Sequence, residues 1–163
     1  GTIFGYSLRP RFDLVVNTLT AHAYVNNKIK VFGGDQWRPN VHVKDIASAV
    51  SIAAKSKEIG IYNVSNQNLK IIDIAKKVLK HLSDTEMIIT ENSFEDNRNY
   101  RVDSSLIKSK LGWAPKYDVD YGIKQIVDLL KTGRVPNPFD PIFHNLNYLA
   151  SLIETNEKIR YGN

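Results

Sequence analysis

Apolar residues recur at helical spacing over residues 12–26, 46–56, 70–82, 104–111 and 120–131. Between these stretches lie short runs that read as strands, at 2–5, 30–32, 41–43, 60–65 and 87–90. Strands alternating with helices predict an α/β chain. Asp13 is placed to cap the helix that begins at Phe12, and Asn68 to cap the helix from Lys70. The turn at 112–115 separates the helices at 104–111 and 120–131. From Thr132 the Pro-rich "TGRVPNPFDP" reads as a linker, and 145–157 has the spacing of one more helix, expected to pack back on the body. The predicted organisation is therefore a body over residues 1–132 and a linker with a helical tail over 133–163. The first strand is already under way at Thr2, so the chain is expected to begin in the middle of a domain.

Composition narrows the class. With 42% apolar residues in 163, the chain can bury one sizeable core. It has no cysteine, which removes disulfides, thiol nucleophiles and Cys-based zinc sites and fits a reducing compartment. The longest apolar stretch, at 46–54, is far too short to cross a bilayer, and the expectation is a cytoplasmic chain with no membrane partner. A net charge of +5 raises nucleic acid as a partner. The lysines, however, are spread along helix faces (Lys76, Lys77, Lys80, Lys108, Lys110) without a dense basic block, so no specific nucleic acid is expected. The positive balance favours an anionic small ligand.

Several motifs bear on chemistry. "YVNNK", residues 24–28, has the Tyr-x-x-x-Lys spacing of an acid-base pair. It ends a helix that runs straight into a strand, with no serine or threonine partner before it, and its asparagines signal a helix terminus. No Gly-x-Gly-x-x-Gly turn stands anywhere in the chain. His22, His42, His81 and His144 lack metal-ligand spacing, and no nucleophile has an evident base, so neither a metal nor a catalytic residue is assigned. What remains is a set of anion-competent groups. Arg9 and Arg11 precede a helix start, Arg38 stands in "GGDQWRPNVHVKD", and Arg98 with Tyr100 lies in "EDNRNYRVD". Pro39 restrains the residue before it, so Arg38 is expected to project from a stiffened loop. Taken together the arginines suit a diphosphate.

In chain order, "GTIFGYS", "RFDLVVN", "VFGGDQWRPNVHVKDIASAV", "IYNVSNQNLKIIDIAKKV" and "DNRNYRVDSSLIKSKLGWAPKYDVDYGIKQIV" resemble the C-terminal half of the extended short-chain dehydrogenase/reductases (SDRs). These are the NAD-dependent sugar-nucleotide epimerases and dehydratases, such as the UDP-glucose 4-epimerases. The resemblance covers nearly all of residues 1–132. It implies the substrate-binding part of a Rossmann-type α/β fold, without the N-terminal half that holds NAD and the catalytic tyrosine and lysine. It further implies a nucleoside diphosphate sugar as ligand. Arg38 matches the arginine that binds the diphosphate, and Arg98 lies in the loop that closes over the nucleotide. Asp13 and Leu14 match the helix start whose backbone approaches the diphosphate, while Asp45 matches an aspartate with a capping role. Asp13 stands where asparagine is common, and its carboxylate would repel phosphate, so its side chain is expected to cap the helix while the backbone faces the ligand. Trp37 and Pro39 replace residues that many members carry beside the arginine, which leaves base and sugar open. Val41, Val43, Ile61 and Val64 are expected to form an uncovered apolar face that associates with an N-terminal half or a second copy. A non-catalytic binding module built on the same half-fold is the alternative reading.

Overall fold

The computed structural model describes residues 1–91 and 98–161; beyond Thr155 only the backbone is described. In chain order the elements are β1 (Thr2–Phe4), α1 (Val15–Asn26), β2 (Lys28–Phe32), β3 (Trp37–His42), α2 (Val43–Lys55) and β4 (Gln67–Lys70). There follow α3 (Ile71–His81), β5 (Glu86–Thr90), α4 (Ser105–Leu111), α5 (Val119–Lys131), a 3-10 turn (Pro141–Phe143) and α6 (Asn145–Tyr161). β3 is the middle of a three-stranded sheet, parallel to β1 and antiparallel to β4, while β2 and β5 form a separate parallel pair. No helix among the described residues is long and apolar enough to cross a membrane.

The helices bury the faces that their spacing marks. α5 buries Val119, Ile123, Ile126, Val127 and Leu130, a continuous stripe one helical turn apart, and Asp118 caps its start by accepting from the Tyr121 amide at 2.8 Å. Gly122 lies on that stripe. A Cβ there would run into the Phe4 ring, so glycine is what lets α5 lie against β1. The main cluster joins Phe4 to α1, α3, α5 and β2. A second gathers Phe12, Ile126, Leu130 and Val135, and a third gathers Ala49, Ile107 and Trp113.

Several local expectations are corrected. Asp13 does not cap α1, whose N-cap is Leu14 with no side-chain hydrogen bond. Asn68 does not cap α3; it sits in β4 and exchanges two hydrogen bonds with the Val102 backbone, at 3.0 and 2.9 Å. Residues 61–65, expected as part of a strand, form none. Both edges of β3 are taken by β1 and β4, and one of the contacts left to this segment is the Gly1 amine on the Val64 carbonyl, at 2.9 Å. Val41, expected on an uncovered face, is fully buried, whereas Ile61 is 94% exposed.

Arg38 and Pro39 are strand residues, not loop residues. The Asn40 carbonyl accepts from Asn66 and the Gln36 carbonyl from Ile71, which sets the even positions toward β4 and turns the Pro39 nitrogen to the β1 side. β1 begins pairing only at Thr2 with Asn40, so the missing N-H interrupts no ladder bond. The tail packs in part. Val135 is buried, Phe143 meets Phe12 edge-to-face at 5.8 Å, and the Phe12 amide donates to the Phe143 carbonyl at 2.9 Å. α6 then leaves the body, with Leu146, Leu149, Leu152 and Ile153 exposed.

Candidate functional site

α1 and β2 are joined by Asn27, whose left-handed backbone (φ 48°) turns the chain back so that strand runs beside helix. One face of α1 (Val15, Thr18, Leu19, His22, Asn26) and one of β2 (Lys28, Lys30, Phe32) line a cavity of about 800 Å³. Those positions follow the two backbone periods, 3.6 in the helix and 2 in the strand. At the α1 N-terminal end the lining is completed by Asp13, Leu14, Gln36, Arg38 and Arg98. The cavity thus gathers four of the five residues expected to hold a ligand. Tyr100, the fifth, lies outside the lining and is 43% exposed.

Each wall residue has a physical reason for its place. Arg38 is 6% exposed, and its guanidinium donates to the carbonyls of Trp37 and Arg98, which ties the strand to the segment that carries Arg98. Residues 98–103 are fastened further. Asn99 accepts from the Trp37 amide at 3.1 Å, and the Arg101 guanidinium lies over the Trp37 ring at 4.7 Å. The loop expected to close over a nucleotide begins before this segment, and its residues 92–97 lie outside the described residues.

Asp13 faces the cavity with its charge already engaged. It accepts two hydrogen bonds from Arg11, at 2.9 and 2.8 Å, and one from the Asn145 amide at 3.0 Å. Burial alone would raise its pKa, but Arg11 and Asn145 outweigh that and hold it below the ordinary value. Arg9 bonds the Ile142 carbonyl and Asn145. Arg9 therefore fastens the tail directly and Arg11 only through Asp13, and neither lines the cavity.

Against this one engaged carboxylate stand Lys28, Lys30, Arg38 and Arg98. Lys28 pairs with Glu86 at 3.0 Å, while Lys30 has no bonded partner among the described residues. The first turn of α1 ends at the cavity, and its amides have no acceptor within the helix. Among the described residues the lining carries a net positive charge. Lys28, Lys30, His22 and Asn26 were not among the residues that the sequence assigned to a ligand. Their signal was present as the Lys-x-Lys-x-Phe alternation of one strand face, but charge on a strand ordinarily marks a solvated side.

Two other expectations resolve here. Asp45 is 1% exposed and does not cap α2, a role taken by His42, whose Nδ1 accepts from the Lys44 amide at 3.2 Å. The Asp45 carboxylate instead accepts from the Lys116 and Tyr117 amides, at 2.9 and 3.1 Å, and its carbonyl accepts from the Trp113 indole at 3.1 Å. It anchors the chain between α4 and α5. Tyr24 packs against two apolar clusters while Lys28 pairs with Glu86, so the Tyr-x-x-x-Lys spacing serves structure. Among the described residues no group of three or more His, Asp or Glu side chains could hold a metal.

No protein-family model matches the chain. In sequence it is similar to dTDP-glucose 4,6-dehydratase of Xanthomonas campestris pv. campestris, 27% identical over 137 residues that cover 75% of this chain and 39% of the relative. The chain thus spans well under half the length of that relative. Its fold matches UDP-glucose 4-epimerase of Thermotoga maritima, solved with UDP-glucose, at a TM-score of 0.70 and 21% identity over 82% of this chain and 44% of that one. ADP-L-glycero-D-manno-heptose-6-epimerase of Helicobacter pylori matches at 0.67 and 23% identity, over 80% and 42%. The chain thus has the fold of a portion of these epimerases, an extended SDR fold, and is similar in sequence to a portion of that dehydratase.

Proposed function

We propose that the cavity holds the diphosphate of a nucleoside diphosphate sugar, and that the chain is the nucleotide-sugar-binding portion of an NAD-dependent epimerase or dehydratase. The observation that carries this reading is the charge balance of the lining among the described residues, four cationic side chains and one carboxylate that Arg11 and Asn145 already engage. Arg38 would meet the diphosphate, because a buried guanidinium that the Trp37 and Arg98 carbonyls anchor is held in a fixed plane at the cavity wall. The α1 amides at Leu14 and Val15 would meet the same group from the other side. The name of the Thermotoga structure, which holds UDP-glucose, supports a ligand of this class.

NAD, when bound in an intact enzyme of this kind, accepts and returns a hydride from the sugar ring. The residues of this chain do not fit it. β3 passes directly into α2 at His42–Val43 and β4 into α3 at Lys70–Ile71, so neither junction offers the glycine turn that a dinucleotide pyrophosphate needs. No residue here is assigned to the cofactor, and these 163 residues alone are expected to turn over no nucleotide sugar. The cysteine-free composition suits the cytoplasm, where we place the protein.

Calorimetric titration tests the reading. UDP is expected to bind, more weakly as salt rises, while NAD gives no signal. NAD binding more tightly than every nucleoside diphosphate would reverse the assignment.

A further inference from the structure

We propose that the tail sets the affinity of the diphosphate site through one backbone amide: Asn145 is a positioning residue that, with Arg11, holds the Asp13 carboxylate off the anion. This rests on the diphosphate reading above and adds a means by which a distant segment of the chain regulates that site.

Asp13 is the one acidic side chain among the described residues that line the cavity, and it stands directly before Leu14 and Val15, which open α1 at that end. A carboxylate left to itself there would repel a phosphate and compete with it for the amides of the first turn. The donors that occupy it prevent this. The Asn145 amide donates to Asp13 Oδ2 at 3.0 Å, and Arg11 donates to both oxygens, to Oδ1 at 2.9 Å and to Oδ2 at 2.8 Å. Burial by itself raises the Asp13 pKa, yet Arg11 and then Asn145 hold it below the ordinary value, so the charge is present and two donors share it.

The tail also touches a second residue of the cavity wall. Phe139 lies against the His22 ring with centroids 4.7 Å apart, and His144 is close enough to help burial lower the His22 pKa. Arg9 keeps Asn145 in place. It donates to the Asn145 side-chain oxygen at 3.0 Å and to the Ile142 carbonyl at 2.6 Å, with its guanidinium 5.1 Å from the centre of the Tyr148 ring. Neither Arg9 nor Asn145 lines the cavity, so their effect on an anion there passes through Asp13. Asn145 opens α6, where proline fits and no intrahelical bond uses the N-H. His144 before it is already extended, at φ −123° and ψ 109°. Asn145→Pro therefore removes the amide donor to Asp13, and the side-chain partner of Arg9, while Val135, Phe139 and Phe143 keep the tail on the body.

Calorimetry with inorganic pyrophosphate at low salt, on the 163-residue chain, tests the proposal. Asn145→Pro is expected to weaken pyrophosphate about fivefold, because a carboxylate with one donor fewer acts more strongly on the anion. Asp13→Asn is expected to bind it more tightly than wild type, and in that background Asn145→Pro should cost less than about twofold. Only an effect carried by the Asp13 charge is rescued in this way. A tail that merely props the wall would cost as much in either background, and that result would overturn the proposal. So would an Asn145→Pro that binds pyrophosphate like wild type. Should Asn145→Pro fail to fold, Arg9→Gln, which frees Asn145 without touching α6, decides: a loss that Asp13→Asn rescues supports the proposal, and an equal loss in both backgrounds overturns it. Wild type that binds neither pyrophosphate nor UDP would overturn the diphosphate reading and this one with it.

Discussion

The Asp13 carboxylate joins three pieces of chain, Arg11, the start of α1 and the start of α6, at the mouth of a cationic cavity. Its pKa in the fold is lowered, so its contribution to stability is complete above the ordinary value of 3.8 and is lost as pH falls through the lower folded value. The melting temperature is therefore expected to drop on acidification below about pH 4. Asp13→Asn should show a shallower drop, and thermal melts from pH 2 to 6 on both proteins check it; parallel curves would remove Asp13 from the acid response. Arg98 poses a different question. Its side chain is exposed and lines the cavity, so Arg98→Ala is expected to lower UDP affinity about tenfold, the worth of one charge-assisted hydrogen bond. An unchanged affinity would take Arg98 out of the site. Arg38, Arg98, Asp13 and Leu14 could be singled out in the sequence because ordered blocks around them resemble one family. Arg9 and Arg11 were misplaced for a physical reason: a guanidinium near a helix start looks alike whether it awaits a ligand or fastens a tail over 130 residues away.

At the scale of the elements, two positions decide whether helices seat. Gly122→Ala would drive a methyl into the Phe4 ring, and overpacking of this kind costs about 1–3 kcal/mol. Urea titration should show that loss; a neutral substitution would mean that α5 and β1 are less closely set. Asp45→Ala removes a buried carboxylate from two amides and should cost about 3 kcal/mol, since charged hydrogen bonds are the strong ones. A loss below about 1 kcal/mol would contradict the anchoring role. α3 and α5 were legible because each carries an apolar stripe through a full-length helix, Ile74, Ala75 and Val78 in one and Val119 to Leu130 in the other. The chain at 60–65 was not. Its β-branched and aromatic residues read as a strand, yet a strand needs a ladder partner, and both edges of β3 are occupied. Asn68 failed likewise, since a cap and a strand side chain bonded to Val102 use the same residue type.

The whole molecule shows apolar side chains that a self-contained fold would cover. Val50, Ile59, Ile61 and Leu106 are 63%, 98%, 94% and 50% exposed, around the cluster of Ala49, Ile107 and Trp113. Such surface favours association. Light scattering should show concentration-dependent growth, and Ile59→Ser with Ile61→Ser should reduce it; a clean monomer that binds no apolar dye would contradict the expectation. If Arg38 holds a diphosphate, wild type and Arg38→Ala will differ in binding UDP far more than in binding uridine. Because Arg38 also ties Trp37 to Arg98, its loss will disturb the wall, and uridine reports that disturbance without phosphate. The diphosphate reading predicts a loss of about ten- to a hundredfold for UDP and little change for uridine. Equal losses for both ligands, or UDP affinity that does not move, would contradict it.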